Sequence, residues 1–280
     1  MTYRSLLVFL DNEPLCASRI RVAAELAARL DCHLVGVAPT GVVGLPVAPE
    51  GASSLAEYAA LSWQALSDQA ELAAQSFREV CRALGVASFD AVIDKADRAA
   101  SLVRHAHCSD LVVMSQADPG TPGRYLAQAL VEQVILYSAR PTLILPYAGS
   151  VDTLASNALV AWDDSREAAR ALSDALPLLR LAKQVQVISW NEAGSDDDIG
   201  LRPRLDALSQ WLMWQGISAD VRAETTGIGI ADAMLSRAAD MSVDLIVMGA
   251  YGHSRWTERI LGGATRGLLA TMTVPVLMSH

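Results

Sequence analysis

The chain has 280 residues, 52% hydrophobic and 19% charged, which is ample material for one or two buried cores and excludes a disordered polypeptide. Its 22 Lys and Arg stand against 31 Asp and Glu, a formal net charge of −9, and no basic run or aromatic-basic stripe occurs, which excludes a backbone-driven nucleic-acid or anionic-membrane binder. No apolar run approaches the roughly 18 residues of a membrane helix, and the segment from Met1 meets Asp11 too early for a signal peptide, so a cytoplasmic protein acting on small ligands is expected.

In chain order, short apolar runs without alternation predict strands near 5–10, 33–38, 89–93, 110–115 and 141–146, then near 157–162, 185–190, 219–224, 243–248 and 274–279. Such runs, separated by helix-period stretches, suit strands covered on both faces by crossover helices, which is an α/β unit with a parallel sheet. The long helix of the first half starts at an S-x-x-E capping box, Ser54 and Glu57. It carries Leu66, Ala70, Ala73, Phe77, Val80 and Leu84 at three-four spacing and closes at Gly85. Cys16, Cys32, Cys81 and Cys108 contain no C-x-x-C pair and are read as packing thiols. Tyr147 to Ser156, with Gly149 and two serines, reads as a linker.

The chain repeats itself. Ser5 to Asn12 aligns with Asn157 to Asp164, placing Asp11 against Asp163; Asp110 to Met114 aligns with Asp244 to Met248, and Pro141 with Pro275. The offset between partners falls from 152 to 134, so the first copy carries about eighteen more residues, expected near Pro39 to Ser53. Two copies of roughly 140 residues are predicted, 1–147 and 157–280, each with five strands.

Open parallel sheets bind ligands beyond the carboxyl ends of their strands, where strand order reverses and helix N-termini converge. After the fourth strand of the second copy comes Gly249-Ala-Tyr-Gly252, then Gly262-Gly263-Ala-Thr265. Two glycines three apart can turn tightly and let backbone amides approach an anion, and Gly262, Gly263 and Thr265 can open the next helix with free amides and a hydroxyl. In the first copy the same positions are Ser115, Asp118, Gln128, Ala129 and Val131, so the cradle is absent there, and Asp118 would place an anion where phosphate should lie. The plain alternative is that Gly249 and Gly252 only form a turn, and that Asp163, like Asp11, caps a helix.

Gly249, Gly252 and Gly262 fit G-x2-G-x9-G, Val160-Ala-Trp-Asp163-Asp-Ser165 fits V-x-x-D-x-S, and Val274-Pro275-Val276-Leu277 fits a last-strand pattern. Together they resemble the universal stress protein family, in a tandem two-domain form covering nearly the whole chain. The resemblance implies, for each copy, a five-stranded parallel sheet of order 3-2-1-4-5 with helices on both faces, Rossmann-like and similar to the adenine nucleotide alpha hydrolase fold. It implies ATP, possibly with Mg, as ligand. Adenosine would lie against Asp163, Trp190 and Met248, and phosphate against Gly249, Gly252, Gly262, Gly263 and Thr265. Gly263 departs from the pattern, standing where Ser or Thr is usual. The resemblance further implies pairing through the last strand, so that strands 141–146 and 274–279 form a pseudo-dimer within one chain; pairing of two chains as a homodimer stays open, as does an unknown protein partner.

Other constellations carry less. Gly252-His-Ser254-Arg-Trp256 lacks the final Gly of a nucleophile elbow, and too few residues follow for a triad. His105 and His107 diverge on a helix and suit its C-terminal dipole better than a metal. His253, Arg255 and Arg259 flank the glycine pair and can neutralise phosphate or simply face solvent, and Asp196 to Asp198 form a solvated loop run. Trp162 and Trp190 end the first two strands of the second copy, the first read as a core plug and the second as a stacking wall. With no Walker A sequence and no aimed catalytic base, the sequence supports no catalytic residue. Three readings follow: a stress-response nucleotide-binding module, a nucleotide-free scaffold, and a slow ATPase.

Overall fold

The computed structural model describes residues 2–41, 55–192, 200–252 and 263–280. Ser54 of the capping box, Asp196 to Asp198, His253, Ser254, Arg255, Trp256, Arg259 and Gly262 lie outside the described residues.

The first copy opens with β1 (Ser5–Phe9), α1 (Cys16–Leu30), β2 (His33–Gly41), α2 (Leu55–Ala83), β3 (Phe89–Asp97), α3 (Arg98–Ala106) and β4 (Leu111–Ser115), followed by α4 (Arg124–Tyr137) and β5 (Thr142–Leu145). The second copy runs β6 (Asn157–Ala161), α5 (Arg166–Leu179), β7 (Gln184–Glu192), α6 (Leu201–Trp214), β8 (Asp220–Thr226), α7 (Ile230–Asp240), β9 (Leu245–Gly249), α8 (Gly263–Thr271) and β10 (Val276–Ser279). Among the described residues ten strands appear where ten were predicted; the inner ones are apolar runs long enough to cross a covered sheet, whereas β3 and β8 are polar and mostly half-buried or exposed. Leu6, Leu7 and Val8 of β1, and Leu245, Ile246 and Val247 of β9, are wholly buried.

Two compact units share the chain. One comprises Tyr3–Ser115 with Gln128–Arg140. Its strands lie in the order β3-β2-β1-β4, all parallel. The other is built mainly of Gln116–Ala127 and Pro141–His280. There the second copy forms β8-β7-β6-β9-β10 in parallel, the expected 3-2-1-4-5 order. β5 lies beside β10, antiparallel to it, with Leu143 opposite Leu277. The predicted meeting of the strands at 141–146 and 274–279 is therefore a real ladder, and it makes the sheet mixed rather than purely parallel.

Matching aspartates brace both copies. Asp110 accepts from the backbone N–H groups of Arg4 and Ser5 at 2.7 and 3.0 Å. Asp244 accepts from those of Ser156 and Asn157 at 2.8 and 2.9 Å. Each carboxylate precedes a central strand and pins the entry of its neighbour, which is the physical content of the sequence match between these positions.

Three expectations are corrected. The extra length of the first copy is not confined to 39–53: α2 has 29 residues against 14 for α6, so most of it is helix. The core stripe of α2 is Ala70, Ala73, Ala74, Phe77 and Cys81, while Leu84 is exposed, since it lies beyond the turn that faces the sheet. Gly85 does close the helix in the left-handed region, φ +71°, with Val86 N–H donating back to the Cys81 carbonyl. Finally, Cys16, Cys32 and Cys81 are buried thiols but Cys108 is exposed, sitting after the end of α3.

Candidate functional site

Strand order reverses between β6 and β9, so the loops leaving their carboxyl ends define the crevice. Ala161 pairs with Ile188, and Val160 with Val247. Counting on from these pairs, Asp163 and Ala250, just beyond the ends of β6 and β9, stand level with Trp190, which does not end its strand as expected but lies within β7 opposite Glu224. Asp163 is exposed and Trp190 half-buried, whereas Met248 is buried within β9 beside Met278. Trp162 is half-buried rather than a sealed core plug.

Asp163 is not itself a helix cap. Ser165 caps α5, its Oγ accepting from Ala168 N–H at 3.1 Å. Asp163 Oδ1 accepts from the N–H and Oγ of Ser165 at 3.1 and 2.5 Å, so it orients the cap from behind. Asp11, its counterpart, caps nothing either: it pairs with Arg19 at 2.8 Å.

The turn after β9 departs from expectation in its cause. Neither Gly249 nor Gly252 uses a left-handed backbone; Tyr251 does, at φ +55°. Gly249 is required by close approach instead. A Cβ there would meet Ala168 N at 2.6 Å and Glu167 C at 2.7 Å, because the first turn of α5 is packed directly on the end of β9. Thr265, expected to offer its hydroxyl to phosphate, is buried and accepts from Tyr251 N–H at 3.2 Å, anchoring the strained residue to α8. Gly263 begins α8 and is exposed. The structure thus joins Asp163, Ser165, Gly249, Tyr251, Gly252 and Thr265 around the N-termini of α5 and α8.

Glu167 was missed by sequence reasoning. It lies in the first turn of α5, buried, and its Oε1 accepts from Arg166 Nε. A Cβ on Gly252 would stand 3.2 Å from its Oε2. Burial alone would raise its pKa, but the Arg166 guanidinium, its own backbone amide and the charge of His280 hold it below the ordinary carboxylate value. The signal available was a Glu two residues after the capping Ser165, a position favoured by the helix dipole, but nothing in the sequence said that it points inward.

The equivalent crevice of the first copy is closed from within. Arg19 is buried, donating from Nε to the Phe9 carbonyl at 2.6 Å and from Nη1 to Ser115 Oγ at 2.9 Å, while its guanidinium lies 4.9 Å from the Phe9 ring centre. Ser115 stands at the position of Gly249. Asp118 Oδ1 accepts from Gly120 N–H at 2.7 Å in a local turn. His105 lies 3.3 Å from Asp94 Oδ2 and His107 is exposed.

Residues 155–280 match the Universal stress protein family. Over the full chain the fold is similar to that of a universal stress protein from Archaeoglobus fulgidus, at a TM-score of 0.72 and 18% identity, covering 98% of this chain and 95% of that one. It is similar also to a putative universal stress protein from Pseudomonas aeruginosa, at a TM-score of 0.62 and 18% identity, covering 99% and 93%. No match was found among curated proteins. The match to that family thus lies in residues 155–280, and the whole chain has the fold of these universal stress protein structures. No helix among the described residues is long and apolar enough to cross a membrane.

Proposed function

We propose that residues 157–280 form an adenine-nucleotide-binding module whose occupancy is read by a partner in a stress response, and that residues 1–147 are a degenerate copy serving as support. The observation that carries this is the asymmetry of the two switch points. In one, a buried guanidinium fills the space between Phe9, Asp11 and Ser115. In the other, Gly249 and Gly252 keep side chains out of a turn flanked by the amino ends of α5 and α8. The base would rest near Asp163, Trp190 and Met248, and the phosphates near Gly249, Gly252, Gly262 and Gly263. Thr265 would act indirectly by holding Tyr251.

The test is calorimetric titration of nucleotide-stripped protein with Mg-ATP, beside Gly252→Asp with its folding checked by thermal melting. Binding near one site per chain, lost in the folded variant, is expected, with a change in tryptophan fluorescence from Trp190. Absence of heat and of a thermal shift in the wild-type protein would overturn the reading. A scaffold without nucleotide is the second reading, favoured by the buried Glu167 carboxylate beside the expected phosphate position. Slow ATP hydrolysis is the third reading, and it would require phosphate release that survives rigorous purification and is lost in Gly252→Asp.

A further inference from the structure

We infer that Glu167 is the ligand-selecting residue of this crevice, a built-in anion beside the Gly249–Gly252 turn that makes the site favour an adenine nucleotide of low phosphate charge over a metal-free triphosphate. The inference rests on the nucleotide reading above and adds to it the chemical form of the ligand. Among the described residues Oε2 is the atom nearest to where a Gly252 side chain would begin, at 3.2 Å, followed by Glu167 Cδ at 3.6 Å and Ser165 Oγ at 3.7 Å. Glu167 is therefore the described side chain nearest to anything seated against Gly252.

Among the described residues its ion-pair partner stands in solvent. The Glu167 side chain is 4% exposed, whereas that of Arg166, its ion-pair partner, is 77% exposed. The cation sits in water, where its field is screened, and the carboxylate sits where the effective dielectric is lower. Helix α5 offsets part of the cost of burying it, because its amino end carries partial positive charge and Glu167 occupies the first turn. An external phosphate approaching the same amino end competes with an anion already there. Each added phosphate raises the repulsion, and a divalent cation carried on the phosphates offsets it. Asp163, held beside Ser165 at the mouth of the crevice, adds a second acid with the same sign of effect.

The experiment is calorimetry of the full-length, nucleotide-stripped protein with adenosine, AMP and ATP in EDTA and with Mg-ATP, for the wild type, Glu167→Gln and Arg166→Gln. Wild-type protein is expected to bind AMP at least about tenfold more tightly than metal-free ATP, and Mg-ATP more tightly than metal-free ATP. Glu167→Gln, nearly isosteric, should bring AMP and metal-free ATP to within about threefold of each other. Arg166→Gln, which strips the carboxylate of its partner, should widen the gap. Equal or tighter binding of metal-free ATP by the wild type overturns the inference while leaving the nucleotide reading intact. A wild-type preference that neither variant shifts also overturns it. No binding of any of the four ligands by folded wild-type protein overturns both. Because the wild-type ranking is decisive by itself, a variant that fails to fold does not rescue the inference.

Discussion

At Gly249 a single methyl group stands between the observed packing and a backbone clash. The Cβ it lacks would lie 2.6 and 2.7 Å from main-chain atoms of α5, which no side-chain rotation can relieve. Gly249→Ala is expected to destabilise the protein by about 1–3 kcal/mol in urea denaturation, the range for forcing extra atoms into a packed interior. Loss of nucleotide binding in that variant alone would not identify a phosphate contact, which is why Gly252 is the better probe. Asp244 offers a residue-scale test of a different kind. Its carboxylate satisfies the amides entering β6, so Asp244→Ala should cost about 2 kcal/mol, and Asp110→Ala should cost a similar amount, as hydrogen bonds to charged groups do. The glycine spacing was readable from sequence; the steric need for Gly249 was not, because it depends on which helix turn lies against β9.

At the scale of elements, the joint between β3 and α3 is held by Asp94. Burial alone would raise its pKa, but the Ser101 hydroxyl, the Ala96 amide and the Arg104 guanidinium hold it down to about 2. A carboxylate with a depressed folded-state pKa stabilises the fold fully above its unfolded value near 3.8, and that contribution is lost as pH falls toward about 2. Acid unfolding followed by circular dichroism should therefore show a limb in this window that Asp94→Asn flattens. Arg19 is the corresponding element-scale feature at the switch point of the first copy. Removing it leaves Asp11 and the Phe9 carbonyl without their cation, so Arg19→Met is expected to cost about 3 kcal/mol of stability. The Mg-ATP titration should be unchanged by it. Sequence periodicity places Arg19 on α1 but cannot say that it folds inward, since an arginine in a helix is solvated by default.

For the whole molecule, the β5–β10 ladder has a measurable consequence. Val276, Leu277 and Met278 are fully buried with β5 alongside. Residues 155–280 expressed alone would present β10 as an apolar edge strand with unpaired main-chain groups. That fragment is expected to sediment as a dimer or larger species at concentrations where a Lys substitution at Leu277 weakens association. A monomeric wild-type fragment would count against an adhesive edge.

The sequence by itself determined the strand-forming segments and the internal repeat, and its resemblance to a known family implied the 3-2-1-4-5 order that the second copy shows. The segments and the repeat follow from local patterns: short strand-forming runs, the turns between them, and repetition of both. Only the tertiary structure decided that Gly249 yields to α5, that Thr265 serves Tyr251, that Arg19 closes one crevice and that Glu167 lines the other. These outcomes depend on which way a polar side chain points once helices and strands are in contact, and that direction is set by packing across distant parts of the chain rather than by the residues beside it.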